Sequence, residues 1–286
     1  MASARREWVG YGLLAPAYLW LTVTVFLPLA VMLYFSFLST MPYGAAEPSL
    51  SLRHYLAFFE RDLYGFLAWR SITLGIHVTL ACALIGYPAA LILARLVKGR
   101  TREALLLLIV LPFWSNALIR TFAWTMVLRK DGLVDHGIQL VLPWAPSIGI
   151  LYSYPAIVVG LVHSFLPYMI LTCYISLQAI DASLIEAARS LGASNFTVFR
   201  RIVLPLSLPG LLVGVVLIFV PVVGAFMEPR ILGGRASIML GTVIEDQFTE
   251  VFNWPLGAAL SFMLLGIVLL ILAAAYPLLK PRLNLS

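Results

Sequence analysis

The chain has 286 residues, of which 62% are hydrophobic and 11% are charged, and its mean hydropathy is +0.97. Soluble domains carry about 25% charged residues and about 45–50% apolar residues. The composition therefore excludes an ordinary water-soluble enzyme, a disordered tail and a nucleic-acid-binding domain, so no nucleic-acid partner is expected. The formal net charge of +6 has to be interpreted from the positions of the basic residues along the chain, because basic residues of membrane proteins collect on the cytoplasmic side.

Six apolar runs are long enough to cross a bilayer as helices. A spanning helix needs roughly 20 mostly apolar residues, and these runs lack the alternation of apolar and polar residues found in transmembrane barrel strands. The predicted fold class is an all-α integral membrane protein with six transmembrane helices. The predicted spans cover residues 9–37, 72–96, 104–128, 150–180, 206–232 and 256–279.

The distribution of charge predicts the orientation of these spans. With the N-terminus in the cytoplasm, the inside segments hold 11 Lys and Arg residues and the outside segments hold 7, while Arg120 lies within a span. This excess predicts that both termini are cytoplasmic. The outside segments are expected to form short interfacial helices, so that residues 1–286 make a single transmembrane domain whose core spans cover about 72–279. The outside segments are 38–71, 129–149 and 233–255.

The cytoplasmic linker between the fourth and fifth spans carries strong helix start and stop signals. Ser183 stands three residues before Glu186, a capping-box arrangement that begins a helix. Gly192 is placed for a left-handed helix stop, and Ser194 or Asn195 can cap a second short helix. We therefore expect a helical hairpin with a glycine turn that protrudes into the cytosol.

The surface of this hairpin, residues 181–205, combines side chains suited to a protein partner. Small residues permit close approach, apolar residues supply anchors, and charged residues offer pairing. An amphipathic loop that rests on the membrane surface would show a similar pattern. The residues expected to contact a partner are Glu186, Ala187, Ala188, Arg189, Leu191, Gly192, Ala193 and Phe196.

The spans contain a few groups that indicate a solute pathway. Arg120 lies in the third span, where a charge is expensive and faces a cavity, a backbone carbonyl or a partner subunit. Asn116 precedes it by four residues, so the two are expected to share a helix face. Pro112, Pro167 and Pro221 interrupt three spans, and broken helices with polar neighbours are typical of transport paths, although each proline also fits ordinary kinking.

Acidic and aromatic side chains would suit a cationic solute. Glu228 is the first of four acids between residues 228 and 250, and aromatic faces attract cations. These acids could equally solvate a loop or face a binding protein. The predicted pathway residues are Trp114, Asn116, Arg120, Tyr168, Phe226 and Glu228.

One motif in the hairpin resembles a known family signature. Glu-Ala-Ala, three residues, Gly, nine residues and Ile-x-Leu-Pro run from Glu186 to Pro205. The pattern is similar to the cytoplasmic EAA loop of the membrane-spanning subunits of bacterial ABC importers. The resemblance implies that the hairpin is a coupling helix that lies in a cleft of an ATPase subunit.

Further segments across nearly the whole chain resemble the polyamine (spermidine/putrescine) importer permeases, in particular the first of the two paired permeases. The resemblance implies a type I ABC importer (MetI-like) permease fold in the bacterial cytoplasmic (inner) membrane. The implied partners are a second homologous permease, two copies of an ATPase subunit, a periplasmic or lipid-anchored substrate-binding protein, and membrane lipid. The segments are 85–88, 111–120, 160–162, 165–168, 232–234, 244–248 and 253–257.

The sequence contains no phosphate-binding Gly-Lys-Ser/Thr loop. The chain is therefore not expected to be an enzyme or to bind a cofactor or a metal, and ATP and Mg²⁺ are expected on the partner ATPase. Three alternatives remain open. The same machine could import an opine, an aminophosphonate or another small solute, and an ion-coupled secondary carrier would work without an ATPase. The third is an intramembrane enzyme or structural scaffold, although an enzyme would need a paired His/Asp/Glu or Ser/Lys constellation within the spans, which the sequence does not offer.

Overall fold

The computed structural model describes residues 2–41, 47–142, 144, 147 and 149–283. These residues are predominantly helical and include one isolated antiparallel bridge, between Leu38 and Leu50, so the predicted all-α class is confirmed. The α-helices are α1 (Ala2–Ser36), α2 (Arg53–Glu60), α3 (Asp62–Arg95), α4 (Gly99–Val110), α5 (Ala117–Leu128), α6 (Leu133–Val141), α7 (Tyr154–Gln178), α8 (Ala182–Ser190), α9 (Asn195–Val198), α10 (Leu204–Val223), α11 (Met227–Leu232), α12 (Leu240–Thr249) and α13 (Trp254–Leu283).

Five helices in the described part of the chain are long and apolar enough to cross a membrane, and a sixth crossing arises if one bent helix pair counts as a span. This agrees with the predicted number. The short helices expected in the outside segments are present as α2, α6 and α12. The five straight candidates are Leu14–Ser36, Asp62–Arg95, Tyr154–Gln178, Asn195–Val223 and Trp254–Pro277.

The predicted boundaries of the second and fifth spans are wrong by a substantial margin. The second spanning helix begins at Asp62 rather than residue 72, because its first turns carry polar and aromatic residues that hydropathy alone leaves out. An acid in the first turn also suits the positive end of the helix dipole. The fifth ends at Val223 rather than residue 232, since the chain turns at Gly224 and restarts as the separate helix α11.

The third predicted span, 104–128, is not one helix. α4 passes into a tight turn over Leu111–Trp114, and α5 then departs at an angle of 100°. Pro112 cannot donate a backbone hydrogen bond, and the extended backbone of Ser115 and Asn116 separates the two helices. By contrast, Pro167 lies within the continuous helix α7 and Pro221 within the continuous helix α10, so the prediction that three spans are interrupted holds only at Pro112.

The chain divides into two compact units, described separately. The first comprises Met1–Asp62 and Ile244–Leu265. Within it, Tyr55 donates a hydrogen bond of 2.8 Å to the hydroxyl of Ser36, and the rings of Phe35 and Trp254 lie 5.8 Å apart. The spanning part of α1 is only 6% buried. Its apolar surface therefore requires lipid or another protein.

The second unit comprises Leu63–Val243 and Gly266–Ser286. Its core is built mainly by α3, α7 and α10, and Tyr87 pairs with Ser207 across it through hydroxyl oxygens 2.7 Å apart. Fully buried members of the core include Val78, Cys82, Ile157, Leu161, Met169, Cys173, Ile218 and Val222.

Glycines set the distance between α7 and α10. A Cβ atom on Gly210 would contact Ser176 Cβ and come within 2.5 Å of the Thr172 carbonyl oxygen. One on Gly214 would lie 2.7 Å from Thr172 Oγ1 and 2.8 Å from the Met169 sulfur. Small residues four apart allow close backbone contact between membrane helices, so this crossing depends on both glycines.

Candidate functional site

The hairpin predicted at residues 181–205 is formed by α8, a glycine turn and α9, as expected. Its first helix is capped differently from the prediction. The Asp181 carboxylate, rather than Ser183, occupies the cap position and accepts a hydrogen bond of 2.9 Å from the Ser183 backbone amide. Asp and Ser are comparable caps, and the helix begins at the earlier one. The second helix begins with Ser194, whose hydroxyl accepts from the Thr197 amide at 3.2 Å, as predicted.

The turn between the two helices confirms the prediction for Gly192. Its φ is +82°, a left-handed conformation that costs other residues roughly 1–2 kcal/mol. The Gly192 amide donates to the Arg189 carbonyl at 2.9 Å, and the Ala193 amide donates to the Ala188 carbonyl at 3.0 Å. These two bonds make a Schellman motif, which fixes the direction in which α9 leaves the turn.

The second arm of the hairpin is continuous with the fifth spanning helix. After α9, a π-helical turn over Phe199–Val203 joins directly to α10, with the Leu204 amide donating to the Phe199 carbonyl. The spanning helix therefore runs over Asn195–Val223, a length of 29 residues. The expected separate second helix is the first part of that span.

The predicted contact residues divide into an exposed set and a packed set. Leu191 is 89% exposed and Phe196 is 69% exposed, although both are large and apolar. Ala188 and Ala193 instead pack against the core of the second unit. The remaining exposed members of the predicted set are Glu186, Ala187, Arg189 and Gly192.

A cleft of about 510 Å³ lies between the hairpin and the end of α3. Arg95 and Arg189 both line it. Arg95 donates to the Leu177 carbonyl at 3.1 Å, and Arg189 donates to the Asn195 side chain at 3.2 Å. These bonds connect the hairpin to its own second arm and the end of α3 to the end of α7.

The cap at the start of α8 gives a testable pH dependence. Hydrogen bonds from the Ser183 backbone and side chain lower the pKa of Asp181. Its stabilising effect is therefore complete above the unfolded pKa, about 3.9, and is lost as the pH falls through the lower folded pKa. We expect Asp181→Ala to increase hydrogen exchange of the first amides of α8 at neutral pH.

Asp181→Asn is the matched control for this prediction, because Asn also caps helices but does not titrate. After correction for intrinsic exchange rates, the hydrogen exchange of the first amides of α8 in Asp181→Asn should match that of the unsubstituted chain at neutral pH. It should stay constant as the pH falls. Equal protection of α8 in the Ala and Asn variants would contradict the assigned cap.

The break in the third span is held by Arg120. Its Nη1 atom donates to the Pro112 carbonyl at 2.7 Å and to the Ser115 hydroxyl at 3.1 Å. Asn116 caps α5 by accepting from the Leu118 amide at 2.8 Å. Asn116 therefore precedes the first residue of α5 and has an extended rather than a helical backbone. For this reason the expectation that it shares a helix face with Arg120 is wrong.

Aromatic residues surround the break. Phe113 lies against Tyr168 of α7 with ring centroids 4.7 Å apart, and Tyr168 is 40% exposed. Trp114 is 86% exposed and lines an apolar groove of about 410 Å³ along α4. The structure thus brings Tyr168 to the break, whereas Trp114 faces outward from the chain.

Glu228 lies in the first turn of α11 and is half-buried. Burial raises the pKa of Glu228, while a hydrogen bond from its own backbone amide and the charge of Arg120 oppose that rise. Phe226 immediately precedes this helix and is 42% exposed. The loop and α11 therefore bring two further predicted pathway residues to the same region as Arg120.

Sequence reasoning missed several residues that support this arrangement. Trp124 lies against His163 with ring centroids 5.3 Å apart. A Cβ atom on Gly160 would contact Leu232 and lie 4.0 Å from Glu228 Cγ, so Gly160 allows α11 to approach α7. The small residue at position 160 was a signal, but its partner could not be identified without the path of α11.

Comparisons with known proteins agree with this architecture. A family model described as "Binding-protein-dependent transport system inner membrane component" matches residues 86–284. The chain is 34% identical over 270 residues to the spermidine/putrescine transport system permease protein PotB of Escherichia coli (strain K12), which covers 93% of this chain and 98% of the relative. It is 35% identical over 262 residues to the PotB protein of Haemophilus influenzae, with coverage of 90% and 89%.

A solved structure shows the same fold. It is the bacterial alginate ABC transporter in complex with alginate pentasaccharide-bound periplasmic protein, and one of its chains aligns with a TM-score of 0.76 at 16% identity, over 99% of this chain and 97% of that chain. The predicted type I importer (MetI-like) fold is confirmed. Together with the family match over most of its length, this establishes that the chain belongs to the family of binding-protein-dependent transport system inner membrane components.

Proposed function

We propose that the chain is the permease subunit of an ATP-driven bacterial importer for polyamines such as spermidine and putrescine. The observation that carries the substrate class is the identity of 34% to a spermidine/putrescine permease over almost the full length of both chains. The half-buried carboxylate of Glu228 and the nearby exposed aromatic rings suit a cationic amine.

The hairpin 181–205 acts as the coupling element in this proposal. Leu191 and Phe196 are exposed apolar anchors, which a binding groove on an ATPase subunit would cover. When ATP brings two such ATPase subunits together, the hairpin moves with them and the spans change from inward-facing to outward-facing. ATP and Mg²⁺ are bound by those subunits, not by this chain.

The complete machine contains further partners. A second homologous permease completes the pathway and covers exposed apolar helix surface together with lipid. A periplasmic or lipid-anchored binding protein delivers the amine to the outer side. Residues 1–286 form one transmembrane permease domain of the inner membrane with both termini in the cytoplasm, which places the hairpin beside the ATPase.

The test is uptake by proteoliposomes that contain both permeases and the ATPase, with the binding protein outside and ATP inside. We expect ATP-dependent accumulation of labelled spermidine and putrescine, and none of octopine or 2-aminoethylphosphonate. Accumulation of either latter compound in place of the polyamines would assign the same machine to another solute. Uptake by the permeases without the ATPase would instead indicate an ion-coupled carrier.

A further inference from the structure

Arg120 has an arrangement that ordinary helix packing does not explain. One of its terminal nitrogens bonds both the Pro112 carbonyl and the Ser115 hydroxyl. Its Nε atom is buried and has no hydrogen-bond partner within the described part of the chain. The guanidinium is therefore fixed at the break of the third span with one donor unused, at a position where a charge is costly.

The fixed charge of Arg120 acts on Glu228. α5 and α11, which carry the two residues, pack together, and the positive charge of Arg120 opposes the rise in the pKa of Glu228 that burial causes. The hydrogen bonds of Arg120 are directed to the break, so the carboxylate of Glu228 retains acceptor capacity for another donor. A carboxylate offers about four lone-pair positions, and an ammonium group of a passing solute can occupy them.

We propose that Arg120 controls the release of solute from this pathway, because its fixed positive charge keeps the attraction of Glu228 for an ammonium group weak enough for the group to leave. This inference rests on the proposed polyamine function. An ammonium beside Glu228 is attracted by the carboxylate and repelled by the guanidinium, and both forces are strong where water is scarce. Conduction through a narrow site requires binding that permits exit as well as entry.

This arrangement makes the effect of Arg120 dependent on Glu228. If Arg120 loses its charge, the carboxylate retains the ammonium for longer, so release and turnover slow together. If Glu228 is already neutral, the ammonium is no longer held beside Arg120, so removal of the Arg120 charge changes the release rate little. The two substitutions therefore must not combine as independent effects, which is the signature of coupled residues.

The experiment uses the complete transporter in nanodiscs, loaded with labelled spermidine from its binding protein and locked with ATP and vanadate. The measured quantity is the rate at which spermidine is released. We expect Arg120→Gln to slow release at least fivefold and Glu228→Gln to accelerate it. The rate of spermidine release from the double variant should lie within twofold of the rate from Glu228→Gln alone.

Three further variants separate charge from structure. Arg120→Lys keeps the positive charge, so its rate of spermidine release should equal that of the unsubstituted transporter. Ser115→Ala removes a hydrogen bond at the break but leaves the charge, so its release should also be unchanged. Arg129→Met removes an exposed charge at the end of α5 and serves as the matched control.

Assembly with the partner subunits and basal ATP hydrolysis verify that each variant is folded, and Arg120→Met replaces Arg120→Gln if the latter does not assemble. Single effects that multiply in the double variant would overturn the inference, as would slow release in Ser115→Ala equal to that of Arg120→Gln. Failure of the unsubstituted transporter to take up spermidine would instead refute the proposed substrate.

Discussion

Substitution of Leu191 by Asp should uncouple the permease from its ATPase without unfolding it. Leu191 is 89% exposed, and changes at such positions alter stability by about 0.5 kcal/mol or less. An anchor at the centre of an interface contributes about 2 kcal/mol or more, which corresponds to roughly 30-fold in affinity. We expect at least this loss in ATPase binding, measured by titration of the ATPase subunit onto permeases in nanodiscs, with a parallel loss of uptake.

Leu140→Asp is the matched control for this prediction. Leu140 is 85% exposed on α6, in a segment predicted to lie on the outer side. The same chemical change there should leave ATPase binding and uptake within twofold of the values for the unsubstituted permease. ATPase binding retained by Leu191→Asp, or lost equally in both variants, would remove the coupling role from the hairpin.

Substitution of Gly210 by Ala should strongly destabilise the packing of α7 on α10. The added methyl would contact Ser176 Cβ and approach the Thr172 carbonyl oxygen to 2.5 Å. Neither atom can rotate away, because each is fixed by the backbone. Overpacking of this kind costs about 1–3 kcal/mol. We expect the midpoint of thermal unfolding of the purified complex to fall by several degrees.

Two other glycines complete this series. A Cβ atom on Gly65 meets nothing within 4 Å, so Gly65→Ala should be neutral or stabilising, since Ala favours a helix interior by up to about 1 kcal/mol. The unfolding midpoint of Gly214→Ala should fall between those of Gly65→Ala and Gly210→Ala, because the close neighbours of Gly214 are side chains that can rotate. An unfolding midpoint of Gly210→Ala as high as that of Gly65→Ala would contradict the packing of α7 and α10.

Local signals in the sequence predicted the hairpin well. The left-handed turn at Gly192 and the cap at Ser194 depend on residues within one helical turn, and both predictions are confirmed. The cap of α8 was misplaced because Asp181 and Ser183 can both cap a helix. The choice between them depends on where α7 ends, at Gln178, which capping preferences do not specify.

The break in the third span was only partly predictable. Pro112 indicated an interruption, but hydropathy is continuous from residue 104 to 128, so it gave no sign of a 100° bend. The bend is fixed by contacts between distant parts of the chain, such as Phe113 with Tyr168. For the same reason, the relation of Arg120 to Glu228 required the packing of α11 against α5.

The continuity of the hairpin with the fifth spanning helix has a mechanical consequence. At 1.5 Å per residue, the 29 residues of Asn195–Val223 form a rod about 43 Å long. A tilt of about 10° imposed at its hairpin end would displace the opposite end by about 7.5 Å. That end adjoins the segment carrying Phe226 and Glu228. Under the proposed function the rod would therefore act as a lever that carries a displacement of several ångströms from the ATPase to the region of these two residues.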